Sequence, residues 1–350
     1  MPEIAGMGVS SDKIKPNLLI NQISNLIMTK IYKNIKRHVN VLKGLPDVIA
    51  IEPTNYCNLH CPLCPAHHDY LKDSVKFGYM DMENFKSLID QIKGFIYHVS
   101  LSFRGEPLLH KNIVDMVAYC TENGLFSYIN TNGTLLDDNK AEGLLKAGLG
   151  RINISFDGLT EETYKKYRVG GDFNKALAGI KRLVDMKKQY GLKQPEIIAQ
   201  FLILKHNMHE VKDLPEFKKK LGIDKISINR ASVPSWLVNQ SETAKKLCDE
   251  FIPEDENKDS RYNKGKILTP SKRCGSYKRL VVTWDGYGCI CNFDNNGDYT
   301  FGNFFEGTSF QDIWFSDKNQ DWRKKIKNKQ LDICKNCGQT LAYRATYLTK

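Results

Sequence analysis

The stretch Val48-Ile49-Ala50-Ile51-Glu52-Pro53-Thr54-Asn55-Tyr56-Cys57-Asn58-Leu59-His60-Cys61-Pro62-Leu63-Cys64 decides the reading of this chain. An apolar run of strand length ends in three cysteines spaced C-x3-C-x2-C. A [4Fe–4S] cube takes four thiolate ligands. Three from one loop therefore leave one iron with an open coordination position, where a substrate or cofactor can bind. The competing reading is zinc. Structural zinc closes with four ligands, usually from C-x2-C pairs, and His60, His67 and His68 lie near enough in sequence to complete a Cys/His set.

Beyond Val48 the chain alternates between two periodicities. Apolar runs at 48–52, 96–103, 127–131, 151–156, 197–204 and 225–229 read as strands. Between them, 81–92, 112–123, 137–147, 172–190 and 211–220 read as helices. Strands separated by helices imply parallel βα units. Six are too few to close an eight-stranded barrel, so the expected fold is α/β: a partial (β/α)6 TIM-like barrel followed by a small α+β domain. The expected organisation is a helical extension over 1–46, the barrel over 47–235, a charged linker over 236–273 and a second domain over 274–350. In the extension Leu19, Ile20, Ile23, Ile27 and Ile31 recur at helical spacing.

The 350 residues carry a formal charge of +11, from 51 Lys and Arg against 40 Asp and Glu. Such a balance could favour anionic substrates, nucleic acid or a membrane surface. Much of the lysine lies on solvated helical faces such as 323–329, and no DNA- or RNA-binding motif accompanies it, so no DNA partner is expected. No signal peptide and no run of about 18 uncharged apolar residues is present, so the reading is cytoplasmic, with no membrane span. Ten cysteines in that setting point to metal or redox chemistry rather than to a disulfide scaffold.

The cysteine triplet after a first barrel strand resembles the signature of the radical S-adenosylmethionine (radical SAM) enzymes. The resemblance implies that the fourth iron chelates the amino and carboxyl groups of S-adenosylmethionine. Reductive cleavage then gives a 5′-deoxyadenosyl radical that abstracts a substrate hydrogen atom, with a flavodoxin- or ferredoxin-type protein as reductant. It also assigns residues at strand ends. Arg104, Gly105 and Glu106 occupy the place of a Gly-Gly-Glu-like element that binds the methionine amino group, with arginine for the first glycine. Thr131, Asn132 and Ser155 would surround the ribose or methionine, and Arg168 would hold the carboxylate with its planar fork. Gln200, polar within an apolar run, would face the lumen and the cofactor. Leu63 stands where many relatives place an aromatic against the adenine.

Cys274, Cys291, Cys334 and Cys337 form a second constellation. Four cysteines complete one cluster, although a closed four-thiolate zinc site is the alternative. The run 280–291 reads as a hairpin turned at Asp285-Gly286. Cys289 alternates with Cys291 and is expected on the same side of the strand, as a spare ligand or a small buried residue. Cys120 and Cys248 read as packing residues. With Phe301-Gly302-Asn303, Ile313-Trp314 and the final Cys-x2-Cys, the region resembles the SPASM and twitch auxiliary-cluster domains, which implies one auxiliary [4Fe–4S] cluster.

A fully ligated auxiliary cluster suits electron transfer, so the expected reaction is oxidation of a sugar- or aminocyclitol-type small molecule. Peptide maturation by crosslinking or oxidation is the alternative, and a non-enzymatic zinc or iron–sulfur module that binds nucleic acid is a further one. Asn292 follows Cys291 where sulfatase-maturing relatives carry an aspartate, which argues against that activity. Asp294 is the substitute candidate for the base.

Overall fold

A computed structural model describes residues 44–64, 66, 71–231, 242–253, 262–263, 266–267, 274–334, 337 and 346–348. The helix expected over 19–31 lies outside these residues.

The strands are β1 (Val48–Ile51), β2 (His98–Ser100), β3 (Phe126–Thr131), β4 (Arg151–Ser155), β5 (Glu196–Ile203) and β6 (Lys225–Arg230). Between them run α1 (Met82–Ile92), α2 (Ile113–Glu122), α3 (Asp138–Lys146), α4 (Glu161–Tyr167), α5 (Phe173–Gln189) and α6 (Leu214–Leu221). All six strands are parallel and neighbour one another in chain order. The open half-barrel expected from the alternating pattern is present.

Local signals explain the helices. In α1 the buried residues Phe85, Leu88, Ile89 and Ile92 fall at helical spacing, and Asp81 caps the first turn by accepting from the Glu83 and Asn84 amides. Helix α4 was not anticipated, because its seven residues are mostly polar. It is started by a capping box between Thr160 and Thr163 and is anchored by Tyr164 and Tyr167, both buried.

The segment read as a linker holds a further helix, α7 (Glu242–Phe251), and a two-stranded ladder of β7 (Tyr262–Asn263) and β8 (Lys266–Ile267). Helix α7 packs Ala244 and Phe251 against Leu59, Cys61 and Leu63 of the cysteine loop, so it covers that loop.

The C-terminal elements are β9 (Arg279–Val282), β10 (Tyr287–Cys289), β11 (Thr300–Asn303), α8 (Phe310–Trp314), α9 (Asp317–Lys327) and β12 (Thr346–Leu348). They do not form a detached unit. Strand β9 pairs in parallel with β1 from Val48↔Arg279 to Ile51↔Val282, and β12 pairs antiparallel with β6. One ten-stranded sheet results, in the order β11-β10-β9-β1-β2-β3-β4-β5-β6-β12. The hairpin that precedes Cys291 is thus fixed to the strand that leads to Cys57.

Candidate active site

Residues from four strand ends converge on the loop after β1. Gly105 has φ +66°, and a Cβ there would stand 2.5 Å from the Tyr56 carbonyl oxygen and 2.6 Å from that of Thr54. Only glycine fits so close an approach. It lets the Glu106 amide donate to the Tyr56 carbonyl at 2.7 Å, beside the first cysteine.

Glu106 is buried and receives three hydrogen bonds: Thr131 Oγ1 at 2.7 Å, the Asn132 amide at 2.7 Å and the Leu108 amide at 3.0 Å. Burial pushes its carboxyl group above the usual range, and those hydrogen bonds pull it back. Asn132 also donates to Asn58 Oδ1 at 2.9 Å, and Asn58 donates to Thr134 Oγ1 at 3.0 Å. A polar lattice thereby ties the cysteine loop to the end of β3. Sequence reasoning missed Asn58 and Thr134. Asn58 sits inside the motif, and an amide flanked by cysteines was the available signal.

Arg168 follows α4 and reaches back to the loop. Its Nε donates to Asp157 Oδ2 at 2.6 Å, Nη2 ion-pairs with the same oxygen, and Nη1 lies 3.6 Å from Cys61 Sγ. Asp157 is buried and accepts the Leu202 amide through Oδ1 at 2.7 Å. Its Asp-Gly context reads as a turn, which hid this role. The next residue, Val169, accepts the His60 amide at 2.9 Å, so the α4–α5 connection clasps the cysteine loop.

The thiols here are hard to ionise on their own. Burial pushes Cys57 up to about 11 and Cys64 up to about 12, and Cys61 is also raised; Arg168 lowers all three. Each of Cys57 and Cys64 feels the charge of Cys61, so the three are neighbours on the loop, although among the described residues no three Cys, His, Asp or Glu side chains already stand at metal-holding distances. A donor set of three thiols, Cys61 buried, Cys64 half-buried and Cys57 exposed, beside one guanidinium fits an iron cluster whose cationic core would supply the missing positive charge.

Ser155 and Gln200 are cross-strand partners on β4 and β5, both half-buried. Leu63 is buried among Tyr167, Leu204 and Phe251, so it packs into a small core and not against an open face.

Arg104 departs from expectation. Its guanidinium donates to Glu52 Oε1 and Oε2 at 2.8 and 2.7 Å and to the Asn295 carbonyl at 2.9 Å. The side chain is committed to a buried joint between β1 and the hairpin region and does not reach toward the cofactor residues. Asp294 also departs. Its two oxygens accept the Asp298 and Tyr299 amides at 2.8 and 3.0 Å, closing its own loop. Burial raises its carboxyl group to about 6, but it lines neither cavity described below, so it is not placed as a base.

The second cysteine set does come together. Cys274, Cys291, Cys334 and Cys337 line one cavity of about 40 Å³, with Arg279, Asn292 and Lys329. Burial raises Cys334 to about 11 and moves Cys291 further up, again a thiol set that metal binding would relieve. Cys289 is not part of it. Strand β10 ends at Cys289, so the two-residue alternation does not extend to Cys291. The Cys289 thiol, fully buried, is influenced instead by Asp294, Arg104 and Glu52. Cys120 is buried in the main core, as expected.

A second cavity, of about 180 Å³, opens on the inner face of the sheet between Ala50, Ser100, Ser102, Tyr128 and Asn130, and it too is lined by Arg279 and Asn292. Asn153 of β4 donates to Asn130 Oδ1 at 2.8 Å, which fixes that amide. Among the described residues no helix is long and apolar enough to cross a membrane.

Comparison with known proteins agrees with this geometry. Residues 51–217 match the radical SAM superfamily and residues 274–338 match an iron–sulfur cluster-binding domain, SPASM. The Fe-coproporphyrin III synthase of Methanosarcina barkeri is 28% identical over 338 residues, covering 84% of this chain and 81% of that protein. A tungsten-containing aldehyde ferredoxin oxidoreductase cofactor-modifying protein from Pyrococcus furiosus is 26% identical, covering 82% and 86%. In fold, the chain resembles BtrN in complex with AdoMet and 2-DOIA (TM-score 0.55, 22% identity, 85% of this chain and 94% of that one). It also resembles Streptococcus suis SuiB bound to the precursor peptide SuiA (TM-score 0.59, 18% identity, 87% and 74%). A cysteine loop braced by four strand ends, a second cysteine set on the same sheet and these matches together make the chain a radical SAM enzyme with a C-terminal SPASM domain, using S-adenosylmethionine and [4Fe–4S] clusters.

Proposed function

We propose that the chain oxidises a small, anion-bearing molecule of sugar type by two electrons, in the cavity on the inner face of the sheet. One observation carries this reading: Arg279 and Asn292 line both that cavity and the cavity of the four C-terminal cysteines. A substrate in the first would sit directly against a redox centre in the second.

Cys57, Cys61 and Cys64 would hold the cluster that binds S-adenosylmethionine, and Cys274, Cys291, Cys334 and Cys337 the auxiliary one. When bound, these groups supply a 5′-deoxyadenosyl radical that takes one hydrogen atom from substrate and an acceptor for the electron that leaves as the substrate radical loses a proton. The chain's own residues do the rest. Glu106, held by Thr131 and Asn132, offers a buried carboxylate to an amino group. Arg168, oriented by Asp157, offers a guanidinium beside Cys61. Ser155 and Gln200 present polar groups at adjacent strand positions on the rim.

Substrate class is argued from the lining. Among the described residues of the 180 Å³ cavity, Arg279 is the cation and none is acidic. A carboxylate or phosphate is favoured over the amine of an aminocyclitol, since the guanidinium fork matches planar anions. The volume is small beside ligand clefts of about 300–1,000 Å³, so the bound portion is small. Peptide maturation is the competing reading. A flavodoxin- or ferredoxin-type donor is the proposed reductant, and the formal charge of +11 would speed encounter with an acidic protein.

The test is anaerobic turnover of reconstituted enzyme with sugar acids, sugar phosphates and short peptides, scoring 5′-deoxyadenosine above the substrate-free rate. Stimulation by anionic sugars that Arg279→Ala abolishes is expected. Stimulation by peptides alone, or by anionic sugars equally in Arg279→Ala, contradicts the reading.

A further inference from the structure

Helix α9 ends at Lys327, and the chain reverses through Asn328 and Lys329. The Lys329 amide donates to the Ile326 carbonyl at 3.1 Å and the Gln330 amide to that of Lys325 at 2.9 Å. This paired pattern is a Schellman closure, whose left-handed position is usually glycine. Helix α6 follows that rule, with Gly222 at φ +67°. Here the position is lysine at φ +55°, the one non-glycine residue with positive φ among the described residues. A side chain in that region costs about 1–2 kcal/mol, so local backbone preference does not explain it.

Lys329 lines the cavity of the four cysteines. The same helix end brings the Lys327 carbonyl to the Cys274 amide at 3.2 Å, so the negative pole of α9 also faces this site. A lysine at this position sets a positive charge against that pole.

We propose that Lys329 is a positioning residue for electron transfer that raises the reduction potential of the auxiliary cluster; this rests on the assignment of Cys274, Cys291, Cys334 and Cys337 as its ligands. Reduction adds one negative charge to a cluster already surrounded by thiolates. A cation in the cavity wall stabilises that state more than the oxidised one. The electron accepted is the one released when the substrate radical loses its proton, so a higher potential draws the oxidation forward.

The experiment is an EPR-monitored redox titration of the reconstituted holoenzyme, with S-adenosylmethionine added to mark the first cluster by the perturbation of its signal. Lys329→Gly should lower the reduced-to-oxidised ratio of the auxiliary cluster about tenfold at fixed applied potential, ~59 mV for a one-electron couple. It should keep all its iron and melt no lower than wild type, since glycine suits the backbone. Lys329→Arg should keep the wild-type midpoint. An unchanged midpoint in Lys329→Gly with full iron content overturns the proposal, as does an equal shift in Lys329→Arg. Iron content in the double variant Cys334→Ala and Cys337→Ala that equals the wild-type value overturns the ligand assignment itself, and this proposal with it.

Discussion

Arg104 clamps Glu52 with two hydrogen bonds, at 2.8 and 2.7 Å, and both side chains are buried. Glu52 also accepts the Arg104 and Trp284 amides, each at 3.1 Å, and Arg104 holds the Asn295 carbonyl. One ion pair thus joins the end of β1, the loop after β2 and the segments flanking β10.

Truncating either partner leaves the other charge buried and unpaired, which costs about 3–5 kcal/mol. Arg104→Ala should therefore lower the melting temperature strongly and loosen the C-terminal cysteine set. Thermal melts with iron analysis check this. A change below about 1 kcal/mol with full iron content would show that the joint is dispensable.

Gly105→Ala should be severe for its size. The new methyl group would overlap two carbonyl oxygens within 2.6 Å, at a φ that alanine avoids. We expect the loop to shift, the first cluster to load poorly and 5′-deoxyadenosine formation to disappear, with the auxiliary cluster retained. Wild-type cleavage in this variant would contradict the close packing of the two loops.

Arg168→Lys keeps a charge but loses the fork that reaches both Asp157 and Cys61. Affinity for S-adenosylmethionine should fall at least tenfold, about 1.4 kcal/mol, while iron content stays near wild type. Isothermal titration of the reconstituted protein reads this, and unaltered affinity would remove Arg168 from the cofactor site.

Cys289 and Cys291 offer an internal control two residues apart. Cys291 lines the four-cysteine cavity and Cys289 does not. Cys289→Ala should keep both clusters, whereas Cys291→Ala should lose the auxiliary one, as iron counts and EPR would show. Loss of a cluster in Cys289→Ala would reverse the assignment.

The half-barrel was legible because each strand is a short apolar run and each helix an amphipathic one; observed ends fall within a few residues of those read from the pattern. The cysteine loop and Glu106 were legible because the motif residues contact one another through the backbone. What the chain hid was long-range. The pairing of β9 with β1 joins residues far apart in sequence, and no local pattern encodes it. The partner of Arg104 was not legible, because a motif position fixes where the residue lies and not that both its amide and its guanidinium turn to Glu52. Cys289 is the small buried residue that was one of its two readings, but it does not share a side with Cys291, because alternation holds only while the strand continues, and β10 stops there. Asp294 was a reasonable acid by type, yet its oxygens are taken by two amides.

The central claim is that two separate cysteine sets hold two clusters with different tasks. The most direct measurement is iron content and 5′-deoxyadenosine formation in the anaerobically reconstituted wild type and in the triple variant Cys57→Ala, Cys61→Ala and Cys64→Ala. The account predicts about eight irons in the wild type and about four in the variant, with cofactor cleavage only in the wild type. A wild type holding about four irons with one zinc, or a triple variant that still cleaves S-adenosylmethionine, would contradict it.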